Sequence, residues 1–577
     1  GGGRHIFSLP LTTTIENPDG LIVSRTEYEY DNYAISPMTA ASGVIQHDFR
    51  SDPYTTATQN GTQCLQWEIP PGCINRDCHV CIQYNQVSAY DPATDKRGNV
   101  TKTTSYADAQ FSNGAISETR GYDVTGNLVK ASSSCCEQTS IQYGVGTQYA
   151  YPESQTRGSA DVNSPHRITM SSVYDENTGL LKSSTDANGR TSTINYNPDT
   201  LRPVKSTSST GAYTTWAYDE AAMTVIEETK ESNGDLAGKS KKSLNGLGLT
   251  IKEESYAPNG FIDIVEAKYT KYAEPWKQTR PYRSGDTLQW SEKFYDLQGR
   301  VTKIVEPDGS ETKAFYNETA YPDSATLVSG SLPSGNRIRV QDAWGRERWG
   351  RYDQQQRLVE VVEPNPNGNG LVSAAGSLVT KYSYDTLSRL IQTEQVQTGQ
   401  SSQFRKFKYD DLGRMTRQKL AEQTATLNDA GAFVGVNQAG ANWAEAYSYD
   451  NRSNLTQKTD ARGVRTNISY QLSGAQGSGD DPLNRVQMRW YDQSGPLEAG
   501  FEIHAASVVN YSYMATGDKE RISQIRTEGV LTENFAYDPE GRVVRSTSTT
   551  EETSSDGGGS GIGRCVAHEL AALGALV

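Results

Sequence analysis

The chain has 577 residues, 35% of them hydrophobic, with 69 acidic against 55 basic side chains and a formal net charge of −14. That balance argues against nucleic acid or an anionic membrane surface as the main partner, since either needs a basic face. No run reaches the roughly 18 apolar residues of a membrane-spanning helix, so no membrane span is expected. The 33 tyrosines against 11 phenylalanines suit a thin sheet wetted on both sides, because a tyrosine packs its ring and still sends its hydroxyl to a polar partner.

Residues 1–83 read as an irregular, cysteine-containing N-terminal cap or a run of weak repeats. The opening GGGRHIFSLPLTTTIENPDG has no apolar core of signal-peptide type. Cys64, Cys73, Cys78 and Cys81 fall within 18 residues, Cys135 and Cys136 follow, and Cys565 stands apart near the end. In an oxidising compartment the first six are candidates for disulfides. The stretch CINRDCHVC also permits a zinc reading through Cys73, Cys78, His79 and Cys81, and free buried thiols are a third reading.

From 84 to 545 one unit keeps returning. It opens with Tyr-Asp, passes two or three residues to Gly or a small polar residue, then Arg or Asn, then a hydrophobic residue. Examples are YDVTGNLVK from Tyr122, YDLQGRVTK from Tyr295, YDTLSRLIQ from Tyr384, YDDLGRMTR from Tyr409 and YDPEGRVVR from Tyr537. The Asp accepts from the amides that follow it and closes a turn. The Gly supplies a positive φ. An extended segment and a second turn follow, as in EPDGSET at 306–312. The unit is therefore strand, turn, strand, turn, and a lone hairpin of this length is marginal, so units must pair edge to edge. The expected fold is all-β: antiparallel hairpins in one spiralling sheet, as an open wall or a hollow barrel. The structural anchors are Tyr174, Asp175 and Gly179; Tyr295, Asp296, Gly299 and Arg300; Tyr409, Asp410, Gly413 and Arg414; and Tyr537, Asp538, Gly541 and Arg542. Stretches at 327–337, 363–377 and 424–446 interrupt the period and read as protruding loops. Residues 546–577 read as a flexible linker and a short C-terminal segment.

No HExxH, GxSxG or glycine-rich phosphate loop is present, and the six histidines are scattered. The repeat carboxylates have a turn duty, so neither a catalytic residue, a metal nor a cofactor is expected, and the chain does not read as an enzyme. Trp216, Trp276, Trp290, Trp344, Trp349, Trp443 and Trp490 are candidates for a sugar-binding surface as well as for packing.

With its repeated Tyr-Asp anchors the chain resembles the Rhs, or YD-repeat, family, which includes bacterial polymorphic toxin shells, insecticidal toxin complex B and C components, wall-associated proteins and teneurins. The resemblance covers roughly 84–545 well and 20–50 weakly. It implies a sheet that spirals into a hollow shell, extracellular or on a bacterial cell surface. In the toxin branch such a shell encloses a toxic domain and ends in an Asp-Pro-x-Gly motif that cleaves itself. DPEGRVV at 538–544 continues as a plain repeat, and DPLNRVQ at 481–487 has Asn484 where that motif has Gly, so neither is assigned catalysis. The leading functional expectation is a structural scaffold that encloses or presents a partner polypeptide. The alternatives are a carbohydrate-binding or adhesion module and a subunit of a filament or wall that self-associates through its sheet edges.

Overall fold

The computed structural model describes residues 9–34, 67–68, 80–81, 97–123, 126–133, 138–257, 260–316, 336–371, 377–397, 401–436, 438–473, 477–493, 508–538 and 541–550. Its dominant feature is one antiparallel sheet of 35 strands. Pairing follows chain order almost throughout: Thr12–Glu16 pairs with Ile22–Tyr30, that strand with Val100–Asp108, and so on to Leu531–Tyr537 with Val543–Thr550. Neighbours in sequence are thus neighbours in the sheet, as a chain of short hairpins dictates.

In the regular units both ends of the hairpin use the same three-residue loop. In one turn the Asp296 N–H donates to the Arg300 carbonyl at 3.0 Å and the Gly299 N–H to the Asp296 carbonyl at 3.0 Å. The opposite turn repeats this with Glu306, Gly309 and Ser310. The third loop residue is left-handed, at φ 76° for Gly299 and 80° for Gly309. Where glycine is missing the backbone conformation is kept: Gln356, Ser388, Ser453 and Asn484 have φ of 63°, 61°, 66° and 57°. A side chain pays about 1–2 kcal/mol there. Gln356→Gly is therefore expected to stabilise the protein by about 0.5–1 kcal/mol, after the greater chain entropy of glycine is subtracted, read as a raised denaturant midpoint.

The two ends differ in one respect. On the tyrosine side a β-bulge follows the turn. Tyr295 faces Val301 while Phe294 faces Lys303, so Thr302 is unpaired. The same shift recurs at Tyr384, Tyr409, Tyr449 and Tyr537. Threonines at the extra position bond back across the bulge, Thr302 Oγ1 to the Phe294 carbonyl at 3.2 Å and Thr456 Oγ1 to the Ser448 carbonyl at 3.2 Å. Bulges raise local twist, and bulges that recur mostly along one edge curl the sheet.

The curl brings the sheet back on itself. The turn at Asp411 meets the turn at 107–109: the Asp411 N–H donates to the Ala107 carbonyl at 3.0 Å, and the Ala109 N–H to Asp411 Oδ2 at 2.6 Å. From Asn113–Tyr122 to Gln403–Tyr409, the strands between these two turns number 23. Two further contacts have the same offset. The 159–166 turn meets the Asp481–Arg485 turn, with Arg167–Tyr174 to Val464–Ser469 between them, and Asn188 meets Asp518, with Thr191–Tyr196 to Val509–Tyr513 between. An odd offset joins opposite edges. The tyrosine edge of the later winding rests on the plain-turn edge of the earlier one, as in a spiral and unlike a closed ring. The 35 strands make one winding and about half of a second.

At about 4.8 Å per strand, 23 strands give a circumference of at least ~110 Å and a width of ~35 Å between backbones. A flattened winding would bury one whole face as in a sandwich. Instead strands such as Val301–Val305 and Glu311–Tyr316 carry no fully buried residue. The buried apolar groups are local. One row, Trp349, Val362 and Val379 with Val396 beside it, runs straight across four paired strands. A second centres on Leu427 and Ala444, where the inserted segment 420–444 folds on itself through Leu427, Phe433 and Trp443.

Candidate functional site

Along the tyrosine edge of the described residues a polar arrangement repeats from unit to unit. Asp296 Oδ1 accepts from the Gln298 and Arg300 amides at 2.8 and 3.0 Å, and Arg300 Nε donates to Asp296 Oδ2 at 2.7 Å. The Arg300 amide, chief among these donors, holds the Asp296 carboxyl below its usual range. Asp410 and Arg414 repeat the arrangement at 2.9 Å for the amide and 2.7 Å for Nε, and so do Asp538 and Arg542 at 2.8 and 2.7 Å. Gly413 and Gly541 are left-handed like Gly299, at φ 85° and 82°.

Arg300, Arg389 and Arg414 also reach the next unit. Arg300 lies over the Tyr316 ring at 4.2 Å, and Arg414 over the Tyr449 ring at 4.9 Å while Nη1 donates to the Asp450 carbonyl at 3.1 Å. Arg389 likewise lies over the Tyr409 ring and donates to the Asp410 carbonyl. The tyrosine answers in the opposite direction. Tyr316 Oη donates to the Val301 carbonyl at 2.8 Å, Tyr449 to Met415 at 2.7 Å, Tyr537 to Ile522 at 2.7 Å and Tyr295 to Pro275 at 2.7 Å. Val301 lies just outside the ladder to the next strand, which begins at Lys303 opposite Lys313. The hydroxyl satisfies a carbonyl that the bulge has left behind. Burial pushes the Tyr449 and Tyr537 hydroxyls up, which keeps them protonated donors.

The unit at Tyr174 departs from this. Gly179 N–H closes on the Asp175 carbonyl at 2.8 Å in a loop one residue longer, and Leu180 stands where arginine stands elsewhere. Lys182 Nζ supplies the cation, 2.8 Å from Asp175 Oδ2, and with the Thr178 hydroxyl and amide holds that carboxyl down to about 2. Tyr174 stacks on Tyr151 at 5.1 Å.

Where the windings meet, the same Asp–Arg pair is buried. Asp481 is 0% exposed and accepts from the Leu483 amide at 3.0 Å, Arg485 Nε at 2.6 Å and Gln487 Nε2 at 2.7 Å. Arg485 Nη2 lies 2.8 Å from His166 Nδ1 on the earlier winding. Because guanidinium is always a donor, this places an acceptor lone pair on Nδ1. Arg157 pairs with Glu520 at 3.3 Å, and the Asp518 amide donates to Asn188 Oδ1 at 2.7 Å along the same seam. Burial pushes the Asp411 carboxyl up where it meets Ala109.

The other candidate residues are dispersed. Trp349 is 2% exposed in the apolar row and Trp344 is 81% exposed at a turn. Trp216 Nε1 donates to Glu227 at 2.8 Å, Trp443 Nε1 donates to Asp429 at 2.7 Å, and Trp290 and Trp276 each carry a lysine over the ring. Trp490 faces Asn467 across a strand pair. Cys64, Cys73, Cys78, His79, Cys135 and Cys136 lie outside the described residues. Only the backbone of Cys81 is described, in a two-residue strand opposite Trp67. Among the described residues no group of three His, Cys, Asp or Glu side chains is placed to hold a metal ion.

These features define an all-β hairpin-repeat spiral whose joints are Tyr-Asp-Arg clusters. Scans against protein-family models and curated proteins return no match. Among solved structures, the chain is similar to the crystal structure of TcdB2-TccC3-Cdc42 at TM-score 0.36 and 11% identity, over 93% of this chain and 35% of that one. It is also similar to TcdB2-TccC3 at TM-score 0.30 and 12% identity, over 92% and 31%. A third similarity is to the Photorhabdus luminescens Tc holotoxin pore, at TM-score 0.34 and 10% identity, over 94% and 41%. The chain spans about a third of the length of the first of these.

Proposed function

We propose that this chain is a structural scaffold: a segment of the wall of a hollow spiral shell that encloses or presents a partner polypeptide, outside the cell or at its surface. The observation that carries this reading is the constant 23-strand offset between touching edges, which makes a tube out of one sheet. Subtracting side chains of about 5 Å on each inner face leaves a lumen ~25 Å wide, room for an extended chain or one or two helices. The joints need no ligand to form, since their carboxylates, guanidinium groups and hydroxyls satisfy one another. The repeat core at 84–545, with residues 1–83 as a cap and 546–577 as a linker and terminal segment, is the domain division that goes with this reading.

Cryo-electron microscopy of the full chain tests it. The expected map shows a continuous wall, rising by one strand length per winding, around a centre free of this chain's own sheet. A solid particle whose sheets pack face to face overturns the reading.

A further inference from the structure

The β-bulge opens a shallow groove beside the tyrosine edge, and two copies of it can be compared position by position. One, of about 410 Å³, lies between Asp296–Arg300 and Tyr316. The other, of about 370 Å³, lies between Asp385–Arg389 and Tyr409, with Trp443 at its rim. Lys313 of the first corresponds to Lys406 of the second, and Phe315 to Lys408.

The first groove is electrically balanced. Glu311 pairs with Lys313 at 2.8 Å and with Lys303 at 3.1 Å, and on the strand beyond, Arg339 pairs with Glu347 at 2.7 Å. In the second, both acids are gone. Phe404 stands in the place of Glu311, under Lys406 Nζ at 5.9 Å. Ala444 stands two residues before Ala446, the partner of Arg417, as Glu347 stands two before Trp349, the partner of Arg339. Cations replace the neighbours instead: Lys406 directly faces Lys419, and Lys408 directly faces Arg417.

Four cations therefore share one face of two adjacent strands, and among the described residues none of them is ion-paired. Lys406 and Lys408 are exposed. Two carboxylates lie near them: Glu394, which faces Phe404 on the same side of the sheet and is itself opposed by Lys381, and Asp429, which is engaged by Trp443 Nε1 at 2.7 Å, the chief cause that holds it low, with Lys408 and Arg417 contributing. Directly opposed like charges destabilise a sheet. Two such pairs side by side, in a chain of net charge −14, are a cost that Asp429 offsets only in part.

We infer that this face binds an extended acidic segment of a partner polypeptide. Alternate side chains of an extended strand repeat about every 6.8 Å, the spacing from Lys406 to Lys408, so successive same-side carboxylates meet successive cations. A polyanion of continuous charge such as nucleic acid fits less well, because it would run on over the acidic remainder of the sheet. The inference takes from the scaffold reading the premise that a polypeptide is the partner. The two fail separately, since the map described above decides the winding whatever this face binds.

The test is fluorescence anisotropy of the full chain with a labelled decapeptide of alternating Glu and Thr, against its Gln-Thr counterpart. The Glu peptide is expected to bind, more weakly as salt rises. Lys406→Gln and Lys408→Gln are each expected to weaken it about 3-fold and the double variant about 10-fold. Lys303→Gln with Lys313→Gln, in the balanced groove, is expected to leave it unchanged. Relief of repulsion should also raise the melting temperature of the Lys406→Gln, Lys408→Gln protein by about 1–2 °C, a gain that a misfolded variant would not show. Absence of binding, equal binding by all variants, or displacement of the peptide by an oligonucleotide of matched charge at lower concentration overturns the inference.

Discussion

Asp481→Ala is expected to destabilise the protein by roughly 3–5 kcal/mol and to undock the second winding from the first. The carboxylate is wholly buried and holds Arg485 and Gln487. Its loss leaves a guanidinium with 7% of its side chain exposed and without its counter-ion. Such a charge either stays buried unpaired or leaves the seam, and with it goes the contact to His166 at 2.8 Å. Denaturant unfolding should show the loss. Hydrogen exchange should rise at the 159–166 turn, far away in sequence but adjacent in space, while strands near 290–316 stay protected. Asp538→Ala is the internal comparison. It breaks the same motif, yet Arg542 is 76% exposed, so the cost should stay below about 1 kcal/mol. If Asp481→Ala matched Asp538→Ala, the seam would carry no stability of its own.

The sequence showed the repeat well because its turns follow local rules. Asp with Gly three residues later closes the loop through amides that any backbone offers, so Asp296 and Gly299 could be placed without tertiary knowledge. Ser388 fits the unit's small polar alternative while Asn484 and Gln356 depart from it, although all three hold the same left-handed backbone conformation. The chain tolerates about 1 kcal/mol of local strain where the pairing on either side enforces the loop. Which groups the tyrosines and arginines reach was not legible. Their partners, the Val301 carbonyl for Tyr316 and the Asp450 carbonyl for Arg414, are one unit away, and the spacing to them varies with each insertion. The abundance of tyrosine over phenylalanine was a signal that the hydroxyl had work, without saying where.

The seam was hidden for a different reason. Its contacts join residues more than 300 positions apart, as Ala109 and Asp411 are, and follow from accumulated twist over a whole winding. No local pattern sets that number. In hindsight DPLNRVQ carried a hint, since it keeps the Asp and Arg of the motif with no Tyr-Asp pair before it. The chain reaches it from Tyr470 through a small detour, Gln471–Leu472 paired with Gly479–Asp480. The cationic face was similarly veiled. Lys406 and Lys408 look like ordinary sheet lysines until the strand opposite is known to present Lys419 and Arg417.

Arg414→Ala is expected to cost roughly 2–3 kcal/mol, more than the loss of one surface ion pair. One planar group there does three things. It closes its own turn through Asp410 at 2.7 Å, donates to the Asp450 carbonyl of the next unit at 3.1 Å, and covers the Tyr449 ring at 4.9 Å. Only 15% of the side chain is exposed. Arg414→Lys keeps the charge but cannot direct donors to both carboxylate and carbonyl, so it should recover less than half of the loss. If the joint is electrostatic alone, lysine will restore most of it, and high salt will weaken the native protein as much as the variant. If the joint is geometric, salt will matter little, and exchange will rise at 445–459 as the next hairpin loosens. Arg542→Ala, after the last Tyr-Asp turn, should cost no more than about 0.5 kcal/mol. The difference between the two arginines measures what one hairpin gains from holding the next, and that coupling is what makes the wall a single body.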